Sequence, residues 1–279
     1  MTGAIDALTS PTLKHLRERW WNDEFTAFIA DTLQPRSGNR ILDIGCGEGL
    51  AEISLRRLRI PQLQLVGVDL VPGKLAEAAQ VVAGHNYRAS FVAGDACGLP
   101  FRDRVFDAVF CVAVLQHVFD LESAVRECAR VTREDGRIVA VEPDNSARYF
   151  HSSIPSGRHA FATARELFAG VVAARGDGGN PLVGPMLPRL FVEHGIKPLD
   201  VRLFPVSHVW TAMPGHDVWQ ERREVVERLV RQVSGSGIQA LGDAHLAALD
   251  KYEANARNAG SAFVEIQHTM LFATVGSAS

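Results

Sequence analysis

Only four cysteines occur in 279 residues, and Cys46, Cys97, Cys111 and Cys128 form no C-x-x-C pair. They are therefore expected as reduced thiols of a cytoplasmic protein, and no metal-ligating set is assigned. An excess of basic charge is also lacking. Lys and Arg number 29 against 32 Asp and Glu, for a net charge of −3 and a pI near 6.4, which argues against a nucleic-acid partner. The one compact basic group, Arg56, Arg57 and Arg59, reads as a solvated helix face. No apolar run is long enough for a membrane span: the strongest, Val105 to Phe119, is short and interrupted by Asp107. Residues 1–10 have neither a basic n-region nor an apolar h-region, so no secretory signal is expected. Internal repeats and low-complexity tracts are absent. With 47% hydrophobic residues, the chain can bury a full core, and its length suits one domain carrying substantial insertions. The oligomeric state stays open.

What is present is most informative at Arg40-Ile41-Leu42-Asp43-Ile44-Gly45-Cys46-Gly47-Glu48-Gly49. The apolar run predicts a strand buried on both faces, and Gly45, Gly47 and Gly49 clear side chains from the turn that follows. A helical stretch from Leu50 to Leu58 comes next, so the turn is expected to present unpaired amides and a positive dipole end to a ligand. The spacing is G-x-G-x-G. A dinucleotide-binding G-x-G-x-x-G would need glycine where Leu50 stands.

Four further blocks follow in order. Leu63 to Leu70 is a second apolar strand ending in Asp69, whose carboxylate can accept both hydroxyls of a ribose. Phe91-Val92-Ala93-Gly94-Asp95-Ala96 is the next, and Phe106 to Val118 contains a fourth strand and His117. Arg130 to Asp144 then reads as a helix end, a turn at Thr132–Gly136 and a fifth strand, with Gly136 supplying the positive φ of the turn. From Arg40 to about Asp144 this order resembles the motifs of class I S-adenosylmethionine-dependent methyltransferases, in the branch of ubiquinone and menaquinone biosynthesis and other small-molecule enzymes. The resemblance implies S-adenosyl-L-methionine as cofactor, with Asp43 orienting its methionine end, Gly45, Gly47 and Gly49 lining it, and Asp69 on the ribose. It also implies that Asp95 and the Ala96 amide meet the adenine. Leu70 and Leu99 could wall the adenine, and Val112 is a further cofactor-side candidate. Relatives usually carry a Lys-Pro-Gly-Gly type turn where this chain has Thr132-Arg133-Glu134-Asp135-Gly136.

Strands are predicted near 40–45, 64–69, 89–93, 106–112 and 137–142, alternating with helices near 49–58, 73–83 and 121–132. Such alternation implies a doubly wound, Rossmann-like α/β sheet, which the resemblance completes to seven strands with the last antiparallel. A helical cap is expected over 1–39, with a helix from about Thr12 to Leu33 that includes Leu13 and Leu16, followed by the core over 40–144. A helical lid insertion over 145–180 includes a helix from Arg158 to Ala174 and a glycine-rich loop over 176–181. The core resumes over 181–210, with a strand from Leu199 to Phe204. A second helical insertion covers 211–258, and the last strand lies within 259–279, from Ala262 to Val275.

Candidates for the acceptor side are fewer. Trp20, with its neighbour Trp21, could close over a sulfonium by cation–π contact. Tyr149 and Phe150 follow the strand end at Glu142-Pro143-Asp144, where the resemblance places substrate contacts. His117 is the first choice for a general base, because an imidazole titrates near neutral pH, and Glu142 and His151 are further catalytic candidates. The other histidines, among them His208, His245 and His268, are unplaced. The activity expected is methyl transfer to a small-molecule acceptor at O, N or C. Two alternatives remain, a non-catalytic S-adenosylmethionine-binding module and a nicotinamide-dependent oxidoreductase.

Overall fold

In the computed structural model, the described residues are 20–84, 89–174, 182–233 and 235–279. Leu13, Leu16 and the glycine-rich loop over 176–181 lie outside them. The chain divides into two compact units. The sheet unit is drawn from Lys14–Asn145, Gly178–Phe204 and Met270–Ser279, and the helical unit includes Ser146–Asp177 and Pro205–Thr269.

Seven strands make one sheet in the order β3-β2-β1-β4-β5-β7-β6. They are β1 (Arg40–Ile44), β2 (Gln64–Asp69), β3 (Ser90–Ala93), β4 (Phe106–Val112), β5 (Thr132–Ser152), β6 (Ile196–Trp210) and β7 (Glu265–Ala278). The first five pair in parallel, with Leu42 opposite Val66 on one side and Val109 on the other. The pattern is that of a doubly wound sheet entered by right-handed crossovers. β7 is antiparallel to β5, because Ser153, just past the end of β5, donates its N–H to the carbonyl of Val264, just before the start of β7, at 2.9 Å. It is antiparallel to β6 as well: Ser279 bonds to Gly195 at one end of that pair and Ser207 to His268 at the other.

The helices are α1 (Asp23–Leu33), α2 (Leu50–Arg56), α3 (Pro72–Gly84), α4 (Leu121–Val131), α5 (Pro155–Ala174), α6 (Leu187–Glu193), α7 (His216–Gln232) and α8 (Ser236–Ala259). α1 starts where the Asn22 side chain accepts the Phe25 amide at 2.8 Å, and α4 starts the same way on Asp120. In the sheet unit, Arg137 of β5 donates to the Thr32 carbonyl and to Gln34 Oε1, fixing the end of α1. Leu42, Ile44, Val109, Ala124, Val131 and Ile138 share one buried core. Among the described residues no helix is long and apolar enough to cross a membrane.

Two expectations need correction. The predicted turn at Thr132–Gly136 falls within β5, and its positive φ is at Asp135, 59°, and not at Gly136. Gly136 is needed for space instead, since a Cβ there would lie 2.6 Å from Thr132 Cγ2 and 2.8 Å from the Arg133 carbonyl. The second correction is strand length. β5 runs to Ser152 and β6 from Ile196 to Trp210, beyond the predicted 137–142 and Leu199–Phe204 and across Pro143, Pro198 and Pro205. β6 is an edge strand, where a proline whose N–H position faces away from β7 costs no ladder bond.

Within the helical unit, Trp219, Tyr252 and Phe263 are fully buried with Ile154, Leu167 and Val171. A polar knot crosses this core. Glu265 has no exposed surface and accepts from both Arg222 guanidinium nitrogens, at 2.5 and 3.1 Å, and from Tyr252 at 2.7 Å. Ser152 shares a hydrogen bond with the same Tyr252 hydroxyl, and Arg222 lies over the rings of Trp210 and Trp219. Burial, with the Glu265 charge, pushes the Tyr252 phenol well above its usual range. His245 pairs with Thr163, and burial holds it down to about 4, so it is neutral at physiological pH.

Candidate active site

The carboxyl ends of β1, β2 and β3 bring Asp43, Asp69 and Asp95 to one edge of the sheet, with the glycine turn between the first two. Gly45, Gly47 and Gly49 all have left-handed backbone angles, at φ 71°, 55° and 80°. Gly45 has a second reason to be glycine: a Cβ would lie 2.4 Å from Val114 Cγ2.

The expectation of unpaired amides is only partly met. Gly45 and Cys46 both donate to the Val68 carbonyl, Gly47 to Asp69 Oδ2 at 2.9 Å, and Gly49 to the Cys46 carbonyl. These four donors are used inside the protein, so the turn offers close approach rather than a cradle of N–H groups. That suits a ligand without phosphates.

Asp69 also accepts the Val71 amide, so its two oxygens brace the loops on either side of the strand end. Each carboxylate oxygen keeps a further lone pair for a hydroxyl. Asp95 is exposed and bonds the Cys97 amide through Oδ1. Beside it, Ala96 is partly buried. Leu70, a candidate wall, is 52% exposed directly after Asp69. Leu99 is buried in the core instead. Asp43 is buried, and Val112 is half-buried at the end of β4.

His117 is exposed and closes a one-turn helix, Leu115–His117, after β4. Glu142 lies opposite on β5. Its Oε1 accepts the amides of Val114 and Leu115 at 2.8 and 2.7 Å, and Oε2 that of Gln116 at 3.3 Å. With no exposed surface, Glu142 braces the His117 turn and is badly placed to take a proton from an acceptor. Ala113, just before this turn, has φ 57°, an uncommon angle for a residue with a Cβ.

Tyr149, Phe150 and His151 lie on β5 and not beyond it, so they alternate in direction. Phe150 stacks on Phe161 of α5 at 4.4 Å, whereas Tyr149 and His151 are exposed. The three candidates therefore do not converge. Trp20 is half-buried, and Trp21 makes an edge contact with Phe25.

Sequence reasoning missed Glu52. It is fully enclosed on α2, and neither carboxyl oxygen has a hydrogen-bond partner among the described residues. A Cβ on Gly67 would lie 2.8 Å from Glu52 Oε1 and 2.7 Å from Cys46 Sγ, so acid and thiol crowd together beneath the glycine turn. Burial pushes Glu52 up to about 7. All four cysteines are free thiols. A cleft of about 240 Å³ at the amino ends of β1 and β4 is lined by Arg133, Arg137 and Asp107. There Arg133 is paired with Asp107, and Arg137 with Gln34.

Residues 42–140 match the model of the methyltransferase domain family. With the sheet order and the glycine turn, this match makes residues 42–140 similar to a methyltransferase domain. A demethylmenaquinone methyltransferase of Mycobacterium marinum is 36% identical over 135 residues, 48% of this chain and 53% of that protein. The chain thus spans about half the length of that relative. The 27-O-demethylrifamycin SV methyltransferase of Amycolatopsis mediterranei is 30% identical over 182 residues, 61% of this chain and 63% of that protein. In fold, the chain is similar to a geranyl diphosphate C-methyltransferase from Streptomyces coelicolor, with TM-score 0.52, 15% identity and coverage of 91% of this chain and 78% of that one.

Proposed function

We propose that this protein transfers a methyl group from S-adenosylmethionine to an O, N or C atom of a small-molecule acceptor. The observation that carries the reading is the glycine turn whose Gly45, Cys46, Gly47 and Gly49 donors are already spent, set between Asp43 and Asp69. Such a turn admits a ligand by shape and hydroxyl recognition and gives little to a pyrophosphate, which favours this cofactor over a nicotinamide dinucleotide. The match of residues 42–140 supports the same choice.

When bound, S-adenosylmethionine supplies an activated methyl on sulfur. The chain's own work is then to hold, orient and exclude water. Asp69 takes the ribose hydroxyls while keeping the Gly47 amide, Asp95 and Ala96 meet the adenine edge, and Leu70 and Val112 supply apolar walls. Asp43 orders the methionine end. His117 accepts the acceptor's proton where the acceptor is a hydroxyl or an enolisable carbon. Glu142 is a positioning residue, because it fixes the turn that carries His117.

The test is kinetic. His117→Ala is expected to lower turnover by about 10²–10⁴-fold with cofactor affinity unchanged, the range for loss of a general base. Turnover near that of the parent, or cofactor binding lost in proportion to activity, would reduce His117 to scaffolding.

A further inference from the structure

β6 ends the sheet, so one row of its backbone groups faces away from β7. Val201 belongs to that row: its N–H is taken at 2.8 Å by Asp200 Oδ1, a side chain of its own strand, and so points away from the ladder. By the two-residue repeat of a strand, the backbone groups of Leu199 and Leu203 face the same way, and Pro205, without an N–H, ends the row. Side chains alternate as well. Arg202 and Phe204 turn toward α1, where Arg202 meets Asp31 and Phe204 meets the rings of Phe25 and Phe28 at 5.4 and 4.9 Å. Leu199, Val201 and Leu203 turn to the opposite face and are 47%, 42% and 57% exposed. All of these residues lie in the sheet unit. β3, at the other edge, is four residues long and exposes no large apolar side chain.

We propose that β6 pairs with β6 of a second copy of this chain, antiparallel about a two-fold axis at Val201. The pairing concerns assembly and stands apart from the methyl-transfer reading. What commits this edge to its own copy, and not to a foreign strand, is its self-complementarity. A two-fold axis sets each residue against the one equally far from the axis. Leu199 therefore meets Leu203 of the second copy and Val201 meets Val201, which closes the exposed row into one apolar strip. The hydrogen-bonded positions fall on the same three residues, each of which has an N–H to give. On the opposite face the axis sets Asp200 against Arg202 of the second copy, in the non-hydrogen-bonded positions where side chains approach most closely. Moving the axis by one residue would set Asp200 against Asp200 or Arg202 against Arg202, so the charges also fix the register. In the single chain Arg202 Nε donates to Asp200 Oδ2 at 2.7 Å and a second nitrogen to Asp31, and the guanidinium keeps further N–H groups for a partner. On pairing, Asp200 gives up the Val201 N–H, which then meets the Val201 carbonyl of the second copy.

Sedimentation velocity of the full chain over a dilution series reads the pairing, with Asp200→Arg and Arg202→Asp as the decisive variants. The parent is expected to dimerise reversibly. Either variant alone puts two like-charge pairs across the axis and should raise the dimer dissociation constant at least about tenfold, whereas mixing the two variants restores both opposite-charge pairs and should bring the affinity back close to that of the parent. Leu203→Lys, which puts charge into the apolar strip, should weaken the pair with no rescue from either charge variant. All three side chains lie at the surface, so the variants are expected to fold, and melting curves verify it. A parent that stays monomeric at every concentration would overturn the proposal and leave the row to another occupant. A dimer indifferent to both charge variants and to Leu203→Lys, or one that mixing does not restore, would overturn it by placing the interface elsewhere.

Discussion

The carboxyl edge of the parallel strands β2 and β5 and the core of the helical unit satisfy their carboxylates in opposite ways. At the sheet edge, Asp69 and Glu142 are satisfied by backbone amides of the loops they order, so charge and loop geometry are one device. In the helical unit, Glu265 is satisfied by side chains from other elements, Arg222 of α7 and Tyr252 of α8, and its bonds hold helices to a strand. The lesson is one of consequence. Disturbing the first kind of group should damage binding, and disturbing the second should damage stability.

The largest effect is expected where the contrast is sharpest. Glu265→Ala strands Arg222 in the core and should lower the unfolding free energy by about 3–5 kcal/mol, the usual cost of removing one partner of a buried pair. Denaturant titration measures it, with S-adenosylhomocysteine affinity of the folded protein expected unchanged. A cost below about 1 kcal/mol would erase the distinction. Gly45→Val is the mirror case: the side chain must take φ 71° and meet Val114, so ligand binding should vanish while most of the fold survives. A ligand-induced rise in melting temperature in this variant would misplace the turn.

Glu52 breaks the pattern, since it is buried with neither kind of partner. Its folded-state pKa is raised, from 4.5 to about 7, so the folded protein holds the proton more tightly than the unfolded chain. The resulting stability is fully present below pH 4.5 and is lost as pH rises to about 7. Glu52→Gln, neutral at every pH, should therefore be more stable than the parent at pH 8, by an amount on the order of 2–3 kcal/mol, and close to it at pH 4.5. Parallel stability curves across this interval would show that Glu52 is ionised and paired in solution.

The two regions also differed in how much of them could be read. β1, the glycine turn and Asp69 were legible because each signal is local: an apolar run, three glycines and a carboxylate at a strand end. The reach of β5 and β6 was hidden by Pro143, Pro198 and Pro205, whose turn tendency gave way to pairing with β7 and to the freedom of an edge strand. Glu142 looked catalytic because it ends an apolar run, whereas its bonds to amides 26 to 28 residues away are invisible to any local pattern. His268 stayed unplaced for the same reason, being 61 residues from Ser207.

The central claim is that the turn between β1 and β2, braced by Asp69, holds S-adenosylmethionine. Calorimetric titration of the parent and of Asp69→Ala with S-adenosylhomocysteine, and of the parent with NADH, tests it most directly. The account predicts one-to-one binding of S-adenosylhomocysteine, no measurable NADH binding, and at least a tenfold rise in dissociation constant for Asp69→Ala, corresponding to about 1.5–3 kcal/mol for bonds to a charged acceptor. NADH binding as tight as that of S-adenosylhomocysteine, or an unchanged constant in Asp69→Ala, would contradict it.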